Sequence, residues 1–214
     1  MELFGALFSP FVRKVAVVAA EKGLAFDMPP FSFADPCEDF LAASPFRKIP
    51  AIKDGDYRLC DSTAICAYFD ALAPDAPIYP VEARARGRAV WFEELADTIM
   101  VPTLGPAIFN RFVLPRFRGV AGDEDAALAA IEKFNEVLSY LEGVTPSDGW
   151  LAGEFSLGDV AVASLLRTAE YIGAGLDRAR FPAIAAWYDR VTARPAWQSV
   201  AAMETGQAKA AGLA

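Results

Sequence analysis

The sequence predicts an α/β N-terminal domain with the element order βαβαββα, followed by an all-α helical-bundle domain. In the first eighty residues the period of the apolar side chains changes repeatedly between that of a strand and that of a helix. From residue 82 onward only the helical period is evident. Between them, residues 74–81 contain three prolines within seven residues and show no period, as is typical of a linker. We therefore predict two domains, residues 1–80 and residues 82–214.

The first half of the N-terminal domain predicts two strands and two helices. Residues 2–7 form an apolar run that indicates a short buried strand. Residues 10–22 carry apolar side chains at helical spacing, and Gly23 marks the helix end. Residues 26–33 are a poorer strand because they include two prolines. Residues 36–43 predict a short irregular helix.

The second half of this domain predicts a hairpin and a helix. Asp54 and Gly55 tolerate positive φ and separate the short strands 51–53 and 57–60, which is a strong hairpin signal. Residues 62–72 then repeat an apolar helical stripe. Together these elements imply a small mixed sheet covered by helices.

The second domain is predicted to consist of helices alone. The expected helices cover residues 82–117, 124–142, 157–172 and 182–193, with a short last helix near Pro195. Pro102 and Pro106 lie inside the first of these, and we expect a bend there because proline lacks a backbone N–H. The last ten residues are rich in alanine and glycine and are expected to fray.

Composition excludes several classes of site. The chain contains no histidine, which excludes Ser-His-Asp triads, Cys-His pairs and histidine-containing zinc sites, so no metal centre is predicted. The formal net charge of −8 disfavours binding to nucleic acid. The apolar runs are far too short to span a bilayer, so no membrane association is expected. Three cysteines without a CxxC pair indicate a reducing compartment, and a cytoplasmic location is predicted.

Ser9 and Pro10 lie where the first predicted strand is followed by the first helix. A serine before a proline is foremost a helix N-cap with proline at the first helical position. The same place offers free backbone N–H groups and the positive end of the helix dipole, which favour an anion such as a thiolate. A hydroxyl can donate one hydrogen bond and accept others, so Ser9 can serve both roles.

Two further segments allow a structural or a binding interpretation. Pro50 is either a plain loop-to-strand junction or the second residue of a cis peptide bond. The cis form would present the Ile49 backbone to an extended peptide, with Lys48 beside it for a carboxylate. Asp61 and Ser62 are either a plain helix cap or a pair that binds a ligand ammonium and carboxylate respectively. A ligand with both groups on one carbon, such as the γ-glutamyl end of glutathione, would satisfy this pair.

Taken in order, these segments resemble the motifs of cytosolic glutathione transferases, and the similarity runs nearly end to end. The Ser-Pro-Phe-x-x-Lys-Val segment that begins at Ser9 is similar to the serine-type active-site loop of tau-like transferases and their bacterial relatives. The Lys-Ile-Pro and Asp-Ser segments resemble the cis-proline loop and the Glu/Asp-Ser motif of the family, at the spacing the family shows.

The resemblance implies a thioredoxin-like first domain that binds glutathione as cosubstrate and a helical second domain with a hydrophobic substrate site. It implies that Ser9 is the catalytic hydroxyl. The glutathione contacts that it implies are Phe11, Lys48, Ile49, Pro50, Asp61 and Ser62. It also implies a homodimer in which the first domain of one subunit packs on the second domain of its partner.

The second domain adds a structural element to this resemblance. Ser156 and Asp159 have the spacing of an N-cap and an N3 residue, which predicts a capping box at the start of a helix. This box is similar to the one that begins the buried central helix of the transferase C-terminal domain. Its role is structural, and it adds no catalytic residue.

An electrophilic second substrate requires an apolar pocket near the sulfur. In the second domain the candidates are Val101, Ile108, Phe109 and Phe112, although core packing explains these residues equally well. The three cysteines are not assigned a catalytic role. Cys60 and Cys66 fit an apolar core, whereas Cys37 is a conceivable site of glutathionylation.

The lack of an early tyrosine and of any histidine narrows the class of transferase. No tyrosine precedes Tyr57, which argues against tyrosine-type transferases, and the lack of histidine argues against the beta class. The sequence therefore predicts a detoxifying transferase that conjugates the glutathione thiolate to hydrophobic electrophiles. The alternatives are a glutathione-dependent peroxidase or isomerase of the same fold, or a non-catalytic transferase-like binding module.

Overall fold

The computed structural model describes residues 1–210, and these residues form two compact units. Residues 1–79 form the first unit together with the C-terminal segment that begins at Ala193, and Pro80–Thr192 form the second. The predicted fold class, an α/β first part followed by helices, is confirmed. The division into domains 1–80 and 82–214 stays a prediction.

The elements follow one another with short connections. In chain order they are β1 (Glu2–Phe4), α1 (Pro10–Glu21), α2 (Glu38–Ala43), β2 (Ala51–Asp54), β3 (Tyr57–Cys60), α3 (Ser62–Leu72), α4 (Ala83–Glu94), a π-helical segment (Leu95–Met100), α5 (Val101–Ile108), a second π-helical segment (Phe109–Arg118), α6 (Glu124–Val144), α7 (Leu157–Tyr171), α8 (Pro182–Thr192) and α9 (Pro195–Ala210). Within residues 1–210, no helix combines the length and the apolar character needed to cross a membrane.

The sheet of the first unit has three antiparallel strands in the order β1-β2-β3, in place of the expected mixed sheet. The strand expected over residues 26–33 is reduced to one parallel bridge between Asp27 and Glu2. Pro29 and Pro30 follow this bridge, and because they lack an N–H they cannot extend the ladder. The Asp54-Gly55 hairpin is present, with Gly55 at φ 61°.

Helices α1, α3 and α9 supply the core around this sheet. Their apolar faces and the inner face of the strands bury the large side chains of Leu3, Val15, Ile52, Ile65, Phe69 and Trp197. The expected short helix near Pro195 is a helix of sixteen residues that reaches Ala210. The fraying expected for the last ten residues is not seen up to Ala210, and the remaining four lie outside the described residues.

In the second unit the single helix expected over residues 82–117 is divided. Its hydrogen-bonding pattern changes from α to π before α5 and again after it. Pro102 lies in the first turn of α5, Pro106 inside it and Pro115 in the following π-helical segment. Because each proline lacks the N–H of a regular helical bond and crowds the preceding turn, the path continues with wider turns.

Candidate functional site

Ser9 occupies the N-cap position of α1, in an extended conformation with φ −71° and ψ 127°. Its N–H donates to the Ala6 carbonyl at 3.0 Å, and its carbonyl accepts from the Arg13 N–H at 3.0 Å. Pro10 follows at the first helical position, as expected. Within the described residues 1–210, however, the Ser9 side chain makes no capping hydrogen bond. The half-buried hydroxyl also donates to no acceptor in this range, so its hydrogen is available to another acceptor.

The first turns of α1 are positively charged. No acidic residue lies in the first turn, and the next turn carries Arg13 and Lys14, whose side chains are both buried. The Lys14 Nζ lies 6.0 Å from the centroid of the Phe11 ring and 3.4 Å from the Thr63 Oγ1. The charge of Arg13 is balanced by Glu204 at 2.7 Å, so it is Lys14 that adds to the helix dipole and favours an anion near the start of α1.

The segment before β2 contains the expected cis peptide bond between Ile49 and Pro50. Ser44 shapes this segment, because its hydroxyl donates to the Lys48 carbonyl at 2.7 Å and accepts from the Lys48 N–H at 2.9 Å. The Lys48 side chain is exposed, and no ion-pair partner for it lies within residues 1–210. Over the same described range, the Ile49 N–H and carbonyl make no backbone hydrogen bond.

Asp61 and Ser62 stand at the start of α3. Asp61 has φ 78° and ψ 127°, a conformation that side-chain-bearing residues rarely adopt and that commonly marks a functional position. Its Oδ1 accepts from the N–H groups of Thr63 and Ala64, both at 3.0 Å, so Asp61 does cap the helix. Its Oδ2 has no hydrogen-bond partner in the described part of the chain. Ser62 is buried beside it.

The fold of the first unit brings these three segments together. Residues 6–9 form a turn closed by the bond from the Ser9 N–H to the Ala6 carbonyl, called here the Ser9 turn. Gly5, which precedes it, packs so closely that an added Cβ would lie 3.3 Å from the Ile49 Cβ and 2.6 Å from a Val12 methyl group. This approach joins the Ser9 turn to the cis-proline segment. The contact between Lys14 and Thr63 joins the same turn to the start of α3.

The residues expected to line the substrate pocket lie on one stretch of the second unit. Val101 begins α5 and Ile108 ends it, whereas Phe109 and Phe112 belong to the following π-helical segment. Phe109 is 50% exposed, and the Phe112 ring lies 5.8 Å from the Phe117 ring. A nearby groove of about 450 Å³ is lined by other residues, which include Ile99, Thr103, Pro106, Ala130 and Lys133. A shared pocket of the four candidates therefore stays a prediction.

Two contacts to the Ser9 turn come from α9, and sequence reasoning did not find them. The Leu7 N–H donates to the Gln207 Oε1 at 3.0 Å, and the Arg13 Nη2 donates to the Glu204 Oε1 at 2.7 Å. These partners are separated by 200 and 191 positions along the chain. No local pattern signals a pairing at such a distance.

Cysteine and metal chemistry contribute little to the site. All three cysteines are free, with Cys37 exposed, Cys60 half-buried and Cys66 buried. Among the described residues 1–210, no cluster of three or more acidic or cysteine side chains is arranged to hold a metal ion.

Comparisons with known proteins agree over nearly the whole chain. The family models for the glutathione S-transferase N-terminal and C-terminal domains match residues 3–77 and 95–195. Glutathione S-transferase 3 of Zea mays is 34% identical, over 94% of this chain and 93% of its own.

Two solved structures extend this agreement to the fold. The apo form of glutathione S-transferase III has a TM-score of 0.79 at 31% identity, with 94% of this chain and 95% of its own covered. Glutathione S-transferase-I bound with lactoylglutathione has a TM-score of 0.83 at 26% identity, with 94% and 98% covered. The chain therefore belongs to the glutathione S-transferase family and is a glutathione transferase.

Proposed function

We propose that the enzyme is of the serine type, in which the hydroxyl of Ser9 donates a hydrogen bond to the thiolate of bound glutathione. The observation that carries this proposal is the hydroxyl at the start of α1, which neither accepts a capping bond nor donates a hydrogen bond within residues 1–210. The tau-like or bacterial subclass stays a prediction.

Three local features lower the pKa of a thiol placed beside Ser9. The hydroxyl stabilises the thiolate by a hydrogen bond, and the N-terminus of α1 contributes its dipole. Buried Lys14 contributes positive charge, whereas the charge of Arg13 is balanced by its buried partner Glu204. The thiol proton leaves to solvent, and the thiolate then attacks an electrophilic carbon. A carbon–sulfur bond forms. In a substitution the bond to the leaving group breaks and that group departs with its electron pair. In an addition a π bond of the electrophile breaks, and the anion that results takes up a proton from solvent.

We assign glutathione binding to the segments beside the Ser9 turn. The Ile49 N–H and carbonyl pair with the backbone of the cysteinyl residue, as an added strand would. Pro50 and Phe11 flank that position. The exposed Lys48 ammonium faces the glycyl carboxylate.

The γ-glutamyl end of glutathione is assigned to the start of α3. Ser62 holds its carboxylate with the N–H and the hydroxyl, next to the N-terminal end of the helix. The Asp61 Oδ2 accepts from its ammonium group, while the Oδ1 keeps its capping bonds. Capping and ligand binding thus use different oxygens of one carboxylate.

We assign the second substrate to the helical part of the chain, with a hydrophobic electrophile contacted by Val101, Ile108, Phe109 and Phe112. The apolar character of that stretch supports an apolar substrate. The sequence ranges 1–80 and 82–214 then correspond to a glutathione-binding domain and a substrate domain. Detoxification of such electrophiles is the role we propose.

A homodimer and a cytoplasmic location complete the proposal. Phe46, in the segment before the cis-proline bond, is 84% exposed, which is unusual for so large an apolar side chain. We propose that it packs into the apolar groove around Pro106 on the second subunit. The three free cysteines support a reducing compartment. Light scattering of the parent chain and Phe46→Ala tests the dimer, which Phe46→Ala should weaken.

The catalytic role of Ser9 is tested by comparing the parent chain with Ser9→Ala and Ser9→Thr. Glutathione binding is followed by tryptophan fluorescence, and turnover by conjugation of a chloronitrobenzene. Ser9→Ala should lose about 30-fold to 1,000-fold in kcat, as expected for removal of one donor to a developing anion. Glutathione binding should be largely retained, and Ser9→Thr should recover part of the rate because it keeps a hydroxyl.

Two results would contradict the proposal at different points. If the parent chain binds glutathione but conjugates nothing, a peroxidase, an isomerase or a binding module becomes the better interpretation. If Ser9→Ala conjugates like the parent, the enzyme remains a transferase and the assignment of Ser9 is wrong.

A further inference from the structure

Helix α9 lies antiparallel against α1, and side-chain bonds join the two helices at both ends. At the C-terminal end of α1, Arg194 donates to both carboxylate oxygens of Glu21, each at 2.7 Å. Near its N-terminal end, Arg13 donates to Glu204 at 2.7 Å, and both side chains are 1% exposed. This buried pair fixes the register of α9 on α1.

That register places Gln207 against the segment that leads into Ser9. The Gln207 Oε1 accepts from the Leu7 N–H at 3.0 Å, and its Nε2 donates to the Met28 Sδ at 3.4 Å. Leu7 is fully buried. Its N–H therefore depends on Gln207, because a buried amide without an acceptor is strongly unfavourable.

Ser9 is held on both sides by these contacts. Gln207 binds the backbone two residues before it, and Glu204 binds the side chain of Arg13, whose own N–H donates to the Ser9 carbonyl at 3.0 Å. The Ser9 side chain makes no capping bond in residues 1–210, so its orientation depends on how the backbone of the turn is fixed.

We infer that Gln207 is a positioning residue, through which α9 fixes the Ser9 turn in the geometry that directs the hydroxyl to the thiolate. The inference rests on the proposed function of Ser9. It adds a residue from the C-terminal helix, which acts through the backbone of the Ser9 turn. Small displacements of a catalytic group lower the rate steeply, so a single hydrogen bond to the turn suffices to affect it.

The test compares Gln207→Ala and Gln207→Glu with a matched control, Glu21→Ala. The control removes a bond between the same two helices at the end far from Ser9. Gln207→Glu keeps an oxygen acceptor for the Leu7 N–H. Amide hydrogen exchange of residues 5–9 reports on the turn itself. The pKa of the glutathione thiol, read from thiolate absorbance in the complex, reports on its consequence, together with kcat and KM.

Gln207→Ala should exchange the Leu7 amide about fivefold faster, the factor that corresponds to a hydrogen bond of about 1 kcal/mol. It should raise the pKa of the bound thiol and lower kcat about threefold to tenfold without changing KM for glutathione. Gln207→Glu should restore exchange protection, because its carboxylate oxygen accepts from the Leu7 N–H. Glu21→Ala should leave exchange near Ser9, the thiol pKa and kcat as they are in the parent.

The results separate this inference from the proposed function. The inference would be overturned if the Leu7 amide of Gln207→Ala exchanges at the rate of the parent. It would also be overturned if Glu21→Ala changes amide exchange, thiol pKa and kcat as much as Gln207→Ala does. Faster exchange with an unchanged thiol pKa would also overturn it, provided that Ser9→Ala raises that pKa. If Ser9→Ala leaves the thiol pKa unchanged, the proposed function fails, and a positioning role of Gln207 for catalysis is overturned with it. The exchange result still decides separately whether α9 holds the turn.

Discussion

Helices α1 and α7 each begin after a serine with an extended backbone, Ser9 at φ −71° and ψ 127° and Ser156 at φ −148° and ψ 173°. Their surroundings differ. Ser156 is fully buried and forms a capping box with Asp159. Ser9 is half-buried, has proline next to it, and makes no capping bond within residues 1–210. The hydroxyl of Ser156 is bonded within the fold, whereas the hydroxyl of Ser9 has no such bond among the described residues.

The residue at position N3 explains much of this difference. In α7 this position is Asp159, whose carboxylate accepts from the N–H and the hydroxyl of Ser156 at 3.0 and 3.2 Å. It also accepts from the Leu151 N–H at 3.0 Å and the Trp187 Nε1 at 2.8 Å. In α1 the N3 residue is Val12, which cannot accept. An apolar N3 residue thus leaves Ser9 without a reciprocal partner.

The largest effect on stability should come from Asp159→Ala. It leaves the Leu151 N–H, the Ser156 N–H and the Trp187 indole without their acceptor in a buried region. We expect the free energy of unfolding to fall by about 3–6 kcal/mol, at roughly 1–2 kcal/mol for each of the three orphaned donors. Urea unfolding measures the change, and Val12→Ala is a control for the same helix position in α1. A loss below about 1 kcal/mol would show that water replaces the carboxylate.

The second-largest effect on the free energy of unfolding should come from the residue at the second helical position. In α7 this is Gly158, where an added Cβ would lie 2.7 Å from the Phe92 Cβ and 2.8 Å from the Ala89 carbonyl oxygen. The Ala89 oxygen is part of a helix backbone and cannot move aside easily. Gly158→Ala should therefore lower the free energy of unfolding by about 1–3 kcal/mol, despite the better helix propensity of alanine.

The matching position in α1 supplies the contrast. It is Phe11, which is half-buried. Phe11→Ala should leave the free energy of unfolding closer to that of the parent than Gly158→Ala does and should instead weaken glutathione binding, as fluorescence titration can measure. Equal losses of stability in the two variants would contradict the division of the two helix starts into a structural and a functional one.

Local sequence patterns predicted both helix starts, because capping depends on residues three positions apart. Ser156 and Asp159 indicate their box by spacing alone, and Ser9-Pro10 indicates the start of α1 in the same way. At Pro50 and at Asp61 the sequence left two alternatives open, and the structure shows the cis Ile49-Pro50 bond and the helix cap at Asp61. The spacing did not reveal that the Ser9 hydroxyl stays unused, since this depends on what the fold brings nearby.

Non-local pairing accounts for what the sequence did not predict. Gln207 meets Leu7, and Trp187 meets Asp159, only after distant helices have packed. The weak strand over residues 26–33 shows the opposite case, in which prolines overrode an apolar pattern. The π-helical turns beside α5 were likewise not foreseen, because a proline inside a helical pattern indicates a disturbance without specifying its geometry.

A smaller and more direct comparison replaces each serine in turn. Ser156→Ala should lower the free energy of unfolding by about 1 kcal/mol, because it removes a hydroxyl that is bonded inside the fold, and should leave kcat unchanged. Ser9→Ala should change the free energy of unfolding by less than about 0.5 kcal/mol, because no capping bond is lost. Chemical denaturation of both variants measures the difference. A larger stability loss in Ser9→Ala than in Ser156→Ala would reverse the comparison.

The last prediction concerns acidity, because the first turn of α7 contains a buried carboxyl, that of Asp159, and the first turn of α1 contains no acidic residue. Burial raises the pKa of Asp159 above its ordinary value of 3.8, and the hydrogen bonds from Leu151, Trp187 and Ser156 oppose that rise in part. The folded state therefore takes up a proton at a pH at which the unfolded chain is still ionised. Asp159 contributes stability near and below pH 3.8, and this contribution is lost as the pH rises through the folded-state pKa.

Asp159→Asn cannot titrate and serves as the reference. The difference in unfolding free energy, parent minus Asp159→Asn, should decrease as the pH rises through this window. Urea unfolding at several pH values measures it. A difference that increases with pH would mean that the four donated hydrogen bonds outweigh burial and hold the carboxylate ionised. The first turn of α1 contains no acidic residue, so no corresponding pH dependence is expected at that helix start.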